Sequence, residues 1–238
     1  MLYKFSFQFS KKVFFINNDD KNEFISNNLV NEKKIIVIPG EGIDTEFFKF
    51  QNNDSNKNIF KFLLIARMLL DKGVVEYVEA AKILKNKYQN VEFGLLGYLD
   101  VANPKAITKE QMSIWENEQN IKYYGSTDDV KSFLIKSDCI VLPSYREGIS
   151  MTLMEAASMK KVLIATNVTG CRDLIDDTKN GFLCEVKNTQ DLAYKMEMML
   201  KLTEDERKAM GETGRSKMVN EFDEGIVVGK YLEALKQL

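Results

Sequence analysis

The chain has 238 residues, enough for one large domain or one and a half. With 45% apolar and 29% charged residues it has the make-up of an ordinary globular protein, and a net charge of −2 supplies no global field toward nucleic acid or anionic lipid. There is no histidine, which removes the commonest general base and metal ligand, and no apolar run approaches the ~20 residues of a membrane span.

Three cysteines, Cys139, Cys171 and Cys184, are far apart and odd in number. Two fall in strand-like runs, so buried free thiols in a reducing compartment are expected rather than disulfides or a metal site. Met1 to Lys12 lacks a basic region followed by an apolar one, so no signal peptide is expected.

Along the chain, Leu2, Phe5, Phe9 and Val13 recur at helical spacing, with Tyr3 and Phe7 beside them. Val13 to Ile16 reads as a buried strand. Asn17 to Asp20 offers helix caps, and Phe24, Ile25 and Leu29 predict a short helix. Lys34 to Ile38 is a second strand, ended by Pro39-Gly40. Two strands and two helices cannot bury so many aromatics alone. Gln51 to Asn58 is polar and reads as a linker.

A regular alternation starts at Lys61. Strands are predicted at Phe62–Ala66, Val91–Leu96, Ile121–Tyr124, Asp138–Leu142, Val162–Ala165 and Phe182–Glu185. Helices are predicted around Val74–Tyr88, after Thr108, around Val130–Leu134, up to about Met159 and near Asp173–Asp176. The fold class is therefore α/β, a doubly wound parallel sheet with helices on both faces. Ligands bind such sheets at the carboxyl ends of the strands. Leu192, Met196 and Met199 form one later helical face, and Thr203-x-x-Glu206 caps a helix holding Met210. A last helix carries Ile226, Val227, Tyr231, Leu232 and Leu235.

Two stretches at strand ends carry chemistry. Arg67 follows its strand directly, and Lys72-Gly73 sits in the turn before the next helix. Two cations there can neutralise a diphosphate, although an isolated pair is more often solvated surface charge. The second stretch runs from Leu142 to Lys160. Pro143 ends a strand, and Gly148 permits a tight path. Ser150 or Thr152 can cap the following helix. Glu147 lies just before that helix and Glu155 just inside it. The amides from Ile149 to Thr152 would form an anion site between them. Thr152 and Glu155 also fit a plain capping box, which alone would account for Glu155. Carboxylates beside a phosphate cradle suit a ligand with both phosphates and hydroxyls, such as a nucleotide sugar.

The second stretch closely resembles the Glu-x7-Glu signature of retaining family-4 (group 1) glycosyltransferases of the GT-B fold. Ala66-Arg67-Met-Leu-Leu-Asp-Lys72-Gly73 is similar to that family's Arg…Lys-Gly motif, and Gly40 to Phe48 to its interdomain segment. The resemblance covers roughly Phe14 to Leu238, and the wording is most like bacterial transferases that build capsule, O-antigen or lipid-linked oligosaccharides. It implies a catalytic set of Glu147, Arg67 and Lys72. Glu147 would bind donor-sugar hydroxyls, Glu155 the ribose, and Arg67 and Lys72 the donor phosphates. Backbone around Gly148, Ile149, Ser150, Met151 and Thr152 would hold the diphosphate, and Gly97 would approach the nucleotide. Gly125 to Asp128 reads mainly as a helix cap, and Thr169-Gly170 as a plain turn near the donor. Glycine is usual in the family where Lys160 stands, and proline where Val162 stands.

The domains implied are 1–48 as part of an N-terminal acceptor-binding domain, 49–58 as linker, 59–220 as the nucleotide-sugar domain and 221–238 as a terminal helix that packs on the N-terminal domain. The implied function is transfer of a sugar from a nucleotide-diphosphate sugar, such as a UDP-sugar, to a lipid-linked or glycan acceptor. The donor is a substrate, so no cofactor and no metal is expected. A cytoplasmic location at the inner face of the membrane is expected, with peripheral membrane contact through the rest of the N-terminal domain. Self-association is expected through Phe5, Phe9, Phe14, Phe15, Tyr231 and Leu235, and little transfer from this chain alone. A binding module that needs a partner chain, and a GT-B sugar epimerase, are the alternatives.

Overall fold

The structure, a computed structural model, describes residues 2–52, 58–99, 101–118 and 120–236. The predicted linker at 51–58 lies mostly outside these residues.

Six parallel strands form the main sheet: β3 (Phe60–Ile65), β4 (Val91–Leu96), β5 (Lys122–Tyr123), β6 (Cys139–Leu142), β7 (Val162–Thr166) and β8 (Gly181–Cys184). Their spatial order is β5-β4-β3-β6-β7-β8. Buried residues alternate in direction along each strand, as the pleat requires. Phe62, Leu64, Cys139 and Val141 face one helical layer, built on α3 (Val74–Lys85), α4 (Lys109–Asn117) and α7 (Thr189–Lys201). Leu63, Ile65, Ile140 and Leu142 face the other, with α5 (Val130–Lys136) and α6 (Met151–Ser158). Phe62 and Phe93 stack at 5.5 Å between centroids in the first layer. All three cysteines are buried and free, and burial pushes the Cys171 and Cys184 thiols up to about 12.

The chain leaves β3 toward β4 and β5, then returns to β6 on the other side of β3. Connections therefore diverge between β3 and β6. In doubly wound sheets the crevice that takes a ligand lies at such a point, at the carboxyl ends of the strands.

A second, two-stranded parallel sheet pairs β1 (Val13–Phe15) with β2 (Ile35–Val37). Helices α1 (Leu2–Phe9) and α2 (Asn18–Ser26) accompany it, and Phe24 gathers Tyr3, Phe7 and Phe15 within 6.0 Å. Phe15 is thus buried, not exposed as expected. Phe5 and Phe9 do stand in solvent, whereas Phe14 lies 5.1 Å from Tyr231. That tyrosine belongs to α9 (Glu224–Lys236), which follows α8 (Glu204–Lys217) and a π-helical turn at Met218–Phe222. The capping box at Thr203 and Glu206 is formed.

Three local expectations differ. No helix forms at Asp173–Asp176; a turn through Leu174 gives way to irregular chain. There the buried Asn180 side chain accepts from the Asp176 N–H and donates to the Leu174 carbonyl, so a side chain replaces the helical bonds. The cap of α5 is Asp129, one residue beyond Gly125–Asp128. Ser150 caps α6 by accepting from the Leu153 N–H at 3.3 Å, so Thr152 stands inside the helix and the Thr152–Glu155 capping box is absent.

Candidate functional site: the crevice between β3 and β6

Two loops meet at the crevice. One leaves β3 through Arg67 and Lys72, and the other leaves β6 through Glu147. Gly73, at φ 71°, permits their closest approach: a Cβ there would lie 2.1 Å from the Pro143 carbonyl oxygen. The Tyr145 N–H donates to the Asp71 carbonyl at 2.9 Å, and Ser144 Oγ donates to the same oxygen at 3.2 Å. Lys72 Nζ then reaches Glu147 Oε1 at 2.6 Å, with both side chains mostly shielded from solvent. An ammonium has three donors, so Lys72 keeps two for other acceptors. The sequence placed these two groups at separate strand ends; the fold makes them one ion pair.

Arg67 is exposed just past the end of β3, and its guanidinium has no partner among the described residues. Gly97 follows β4 with a φ of 142°, and a Cβ on it would lie 1.8 Å from the Ala66 carbonyl oxygen. Gly97 therefore packs against the backbone immediately before Arg67.

Beyond Glu147, Gly148 is exposed and Ile149 half-buried, while Ser150 is buried at the cap. The N–H groups of Met151 and Thr152 open α6 and meet no acceptor among the described residues. These are the orphan donors of a helix start, at its positive dipole end. Glu155 sits on the second turn, half-buried, and its carboxyl makes no hydrogen bond or ion pair among the described residues. Burial pushes it up to about 7.

Several contributors escape sequence reading. Gly170 is more than a plain turn: its Cα packs onto the carbonyls of Glu147 and Gly148, where a Cβ would approach to 2.9 and 2.5 Å. Tyr145 donates to Glu76 at 2.6 Å, and Asp71 Oδ1 and Glu76 Oε2 are buried without a partner. Asn17, remote in sequence, donates to the Gly148 carbonyl at 3.3 Å. Only an unusual glycine hinted at any of these.

A separate cavity of about 780 Å³ opens at the opposite end of the sheet. Phe60, Val91 and Val162, the first residues of β3, β4 and β7, line it together with Lys161 and Arg207. None of the predicted site residues lies there.

A doubly wound sheet with cations, orphan amides and an unpaired carboxyl at its switch point is the architecture of a nucleotide-binding α/β protein. Residues 44–217 match the model of the glycosyl transferases group 1. The chain is 32% identical, over 98% of its length and 62% of the other, to the N,N'-diacetylbacillosaminyl-diphospho-undecaprenol alpha-1,3-N-acetylgalactosaminyltransferase of Campylobacter jejuni. It is 27% identical, over 94% of its length and 58% of the other, to the UDP-Gal:alpha-D-GlcNAc-diphosphoundecaprenol alpha-1,3-galactosyltransferase of Escherichia coli. Among solved structures it resembles a glycosyltransferase from Rickettsia africae, with a TM-score of 0.84 and 27% identity over 95% of this chain and 63% of that one. Anabaena HepE in complex with UDP shares the fold, with a TM-score of 0.87 at 20% identity over 98% of this chain and 65% of that one. The chain belongs to the group 1 glycosyltransferases, and its fold is of the GT-B type. It spans about three fifths of the length of the curated relatives it matches.

Proposed function

We propose that the crevice between β3 and β6 binds a nucleotide-diphosphate sugar for transfer to a lipid-linked acceptor in cell-surface polysaccharide or glycoconjugate synthesis. The observation that carries this reading is the Lys72–Glu147 pair, set beside the open start of α6. Arg67, the free donors of Lys72 and the amides of Met151 and Thr152 hold the diphosphate. Glu155 accepts from the ribose hydroxyls, which supply the partners its carboxyl lacks. Glu147, oriented by Lys72, accepts from the donor sugar. As the glycosidic bond to the diphosphate breaks, negative charge grows on the leaving phosphate. Arg67 and Lys72 stabilise that charge where it develops.

The names of two relatives support a diphospho-undecaprenol acceptor, and one of them, with UDP-Gal in its name, supports a UDP-sugar donor. Such an acceptor supports a reaction at a membrane surface, and a nucleotide-sugar donor supports its cytoplasmic face. No helix among the described residues is long and apolar enough to cross one, which fits peripheral attachment.

Calorimetry with UDP and GDP tests the site. Against the double variant Arg67→Ala, Lys72→Ala, the account expects affinity to fall by roughly 1.5–3 kcal/mol for each charged hydrogen bond lost. Equal binding by variant and parent would refute it.

A further inference from the structure

The loop from Glu147 to Ile149 is held from outside the main sheet as well as from within it. Ile16, Asn17 and Gly40, all from the two-stranded part, touch it. Ile16 Cδ1 stands 3.0 Å from where a Gly148 Cβ would be, and Gly40 packs against the Ile149 side chain. The polar member of the set is Asn17, which is only 3% exposed.

Asn17 has two tasks. Its Oδ1 accepts from the Asp20 N–H at 2.7 Å and caps α2. That bond fixes which end of the amide is oxygen. The Nδ2 end therefore faces Asp20 Oδ2 at 2.9 Å and the Gly148 carbonyl at 3.3 Å. Gly170 crowds the same carbonyl. Gly148 has no side chain to restrict its backbone, so its carbonyl direction depends on these neighbours. Because a peptide is planar and trans, fixing that carbonyl also fixes the Ile149 N–H on the opposite edge. Three further contacts tie the same part to this loop and to the neighbouring Gly170 turn: Asp19 with Thr169 and with Arg172, and Asp20 with Arg146 at 3.8 Å. Both arginines are largely exposed, and such pairs contribute little alone.

We propose that Asn17 is a positioning residue for the donor sugar: through the Gly148 carbonyl it sets the backbone that presents Glu147, and so couples the seating of the two-stranded part to sugar recognition. The inference rests on the assignment of Glu147 to the donor sugar. It places Asn17 outside contact with the ligand, and it predicts a larger effect on the sugar conjugate than on the nucleotide, whose diphosphate the Ile149 N–H faces in the reading of the sequence.

Asn17→Ser separates the two tasks, because serine keeps the N-cap and removes the donor to Gly148. Affinities for UDP, UDP-N-acetylgalactosamine and UDP-galactose are measured by calorimetry on the full chain, beside Glu147→Gln and with thermal melting of each protein. The expected result is a roughly 3- to 10-fold loss for the sugar conjugate that the parent prefers, the scale of one hydrogen bond, with a smaller loss for UDP and a protein that still melts cooperatively. An equal change for UDP and conjugate, or no change in either, overturns the proposal while Glu147→Gln still discriminates the ligands. If Glu147→Gln fails to discriminate, or the parent binds neither conjugate better than UDP, the Glu147 assignment falls and the proposal with it.

Discussion

The two ends of the six-stranded sheet treat charge differently. At the amino end, Lys161 is buried but donates to the Ile135 and Ser137 carbonyls at 3.0 and 2.8 Å, closing the end of α5. Asp138 beside it accepts from the Lys61 N–H at 2.8 Å. Arg207 donates to the Met199 and Leu202 carbonyls and covers the Phe60 ring. At the carboxyl end, Arg67 has no partner, Glu155 has no partner, and two amides of α6 point at nothing among the described residues. Satisfied buried charges are accounted for by folding. Arg67 is exposed and hydrated, but the half-buried Glu155 carboxyl goes unmatched among the described residues, which costs stability, and a protein retains such a group where a ligand completes it. A cavity of about 780 Å³ is at the satisfied end and the unmet chemistry at the other, so that cavity by itself would misplace the site.

The comparison can be broken most forcefully at its amino end. Lys161→Met should strand two carbonyls and leave the partly buried Asp138 without its neighbouring cation. A loss of about 2–4 kcal/mol in denaturant unfolding is expected, with UDP affinity unchanged. A large loss of UDP binding by the folded variant would show that the amino end takes part in ligand recognition.

Glu155 offers the next largest effect, in the opposite direction. Its carboxyl titrates at about 7 when folded, above its ordinary value of 4.5. The folded state therefore holds the proton longer than the unfolded chain. This group's contribution to stability is greatest below pH 4.5 and is lost as pH rises toward 7. At ~1.4 kcal/mol per unit, discounted for partial exposure, the loss is on the order of 2 kcal/mol. Glu155→Gln should remove that slope and be the more stable protein at pH 8. UDP affinity in the parent should rise through pH 7, as the carboxylate forms and accepts from ribose, and the variant should lack that rise. A flat parent profile would contradict the ribose assignment.

The smallest effect belongs to Lys160. It adopts φ 60°, the left-handed conformation that glycine takes without strain, as the resemblance led one to expect. Its ammonium meets Glu212 at 2.7 Å and the Phe50 ring at 5.1 Å, which offsets part of the strain. Lys160→Gly should change stability by less than about 1 kcal/mol and leave UDP affinity alone. A melting shift larger than that allows would mean that the Glu212 contact matters more than the backbone.

Much of this was legible in the chain. The strands are short apolar runs between turn residues, and both glutamates and both cations stand where strand ends place them. Other parts were closed to sequence reading for physical reasons. Ser150 and Thr152 were equal candidates for the α6 cap, and only the folded register decides for Ser150. Asp173 and Asp176 looked like a helix because the periodicity gives no weight to Asn180, whose side chain takes over the backbone bonds of Leu174 and Asp176. Lys72 reads as a free phosphate ligand until Gly73 brings Pro143 close enough for Glu147 to claim it. Asn17 and Gly148 are 131 positions apart, and no spacing rule connects them.

Amide NMR during UDP titration tests the central claim most directly, because both ends of the sheet report in one spectrum. The account predicts that shifts concentrate at residues 67–73, at Gly97 and at 147–155, while residues 87–91, 160–162 and 204–208 around the opposite cavity stay still. Shifts confined to that cavity, with the crevice unmoved, would contradict it.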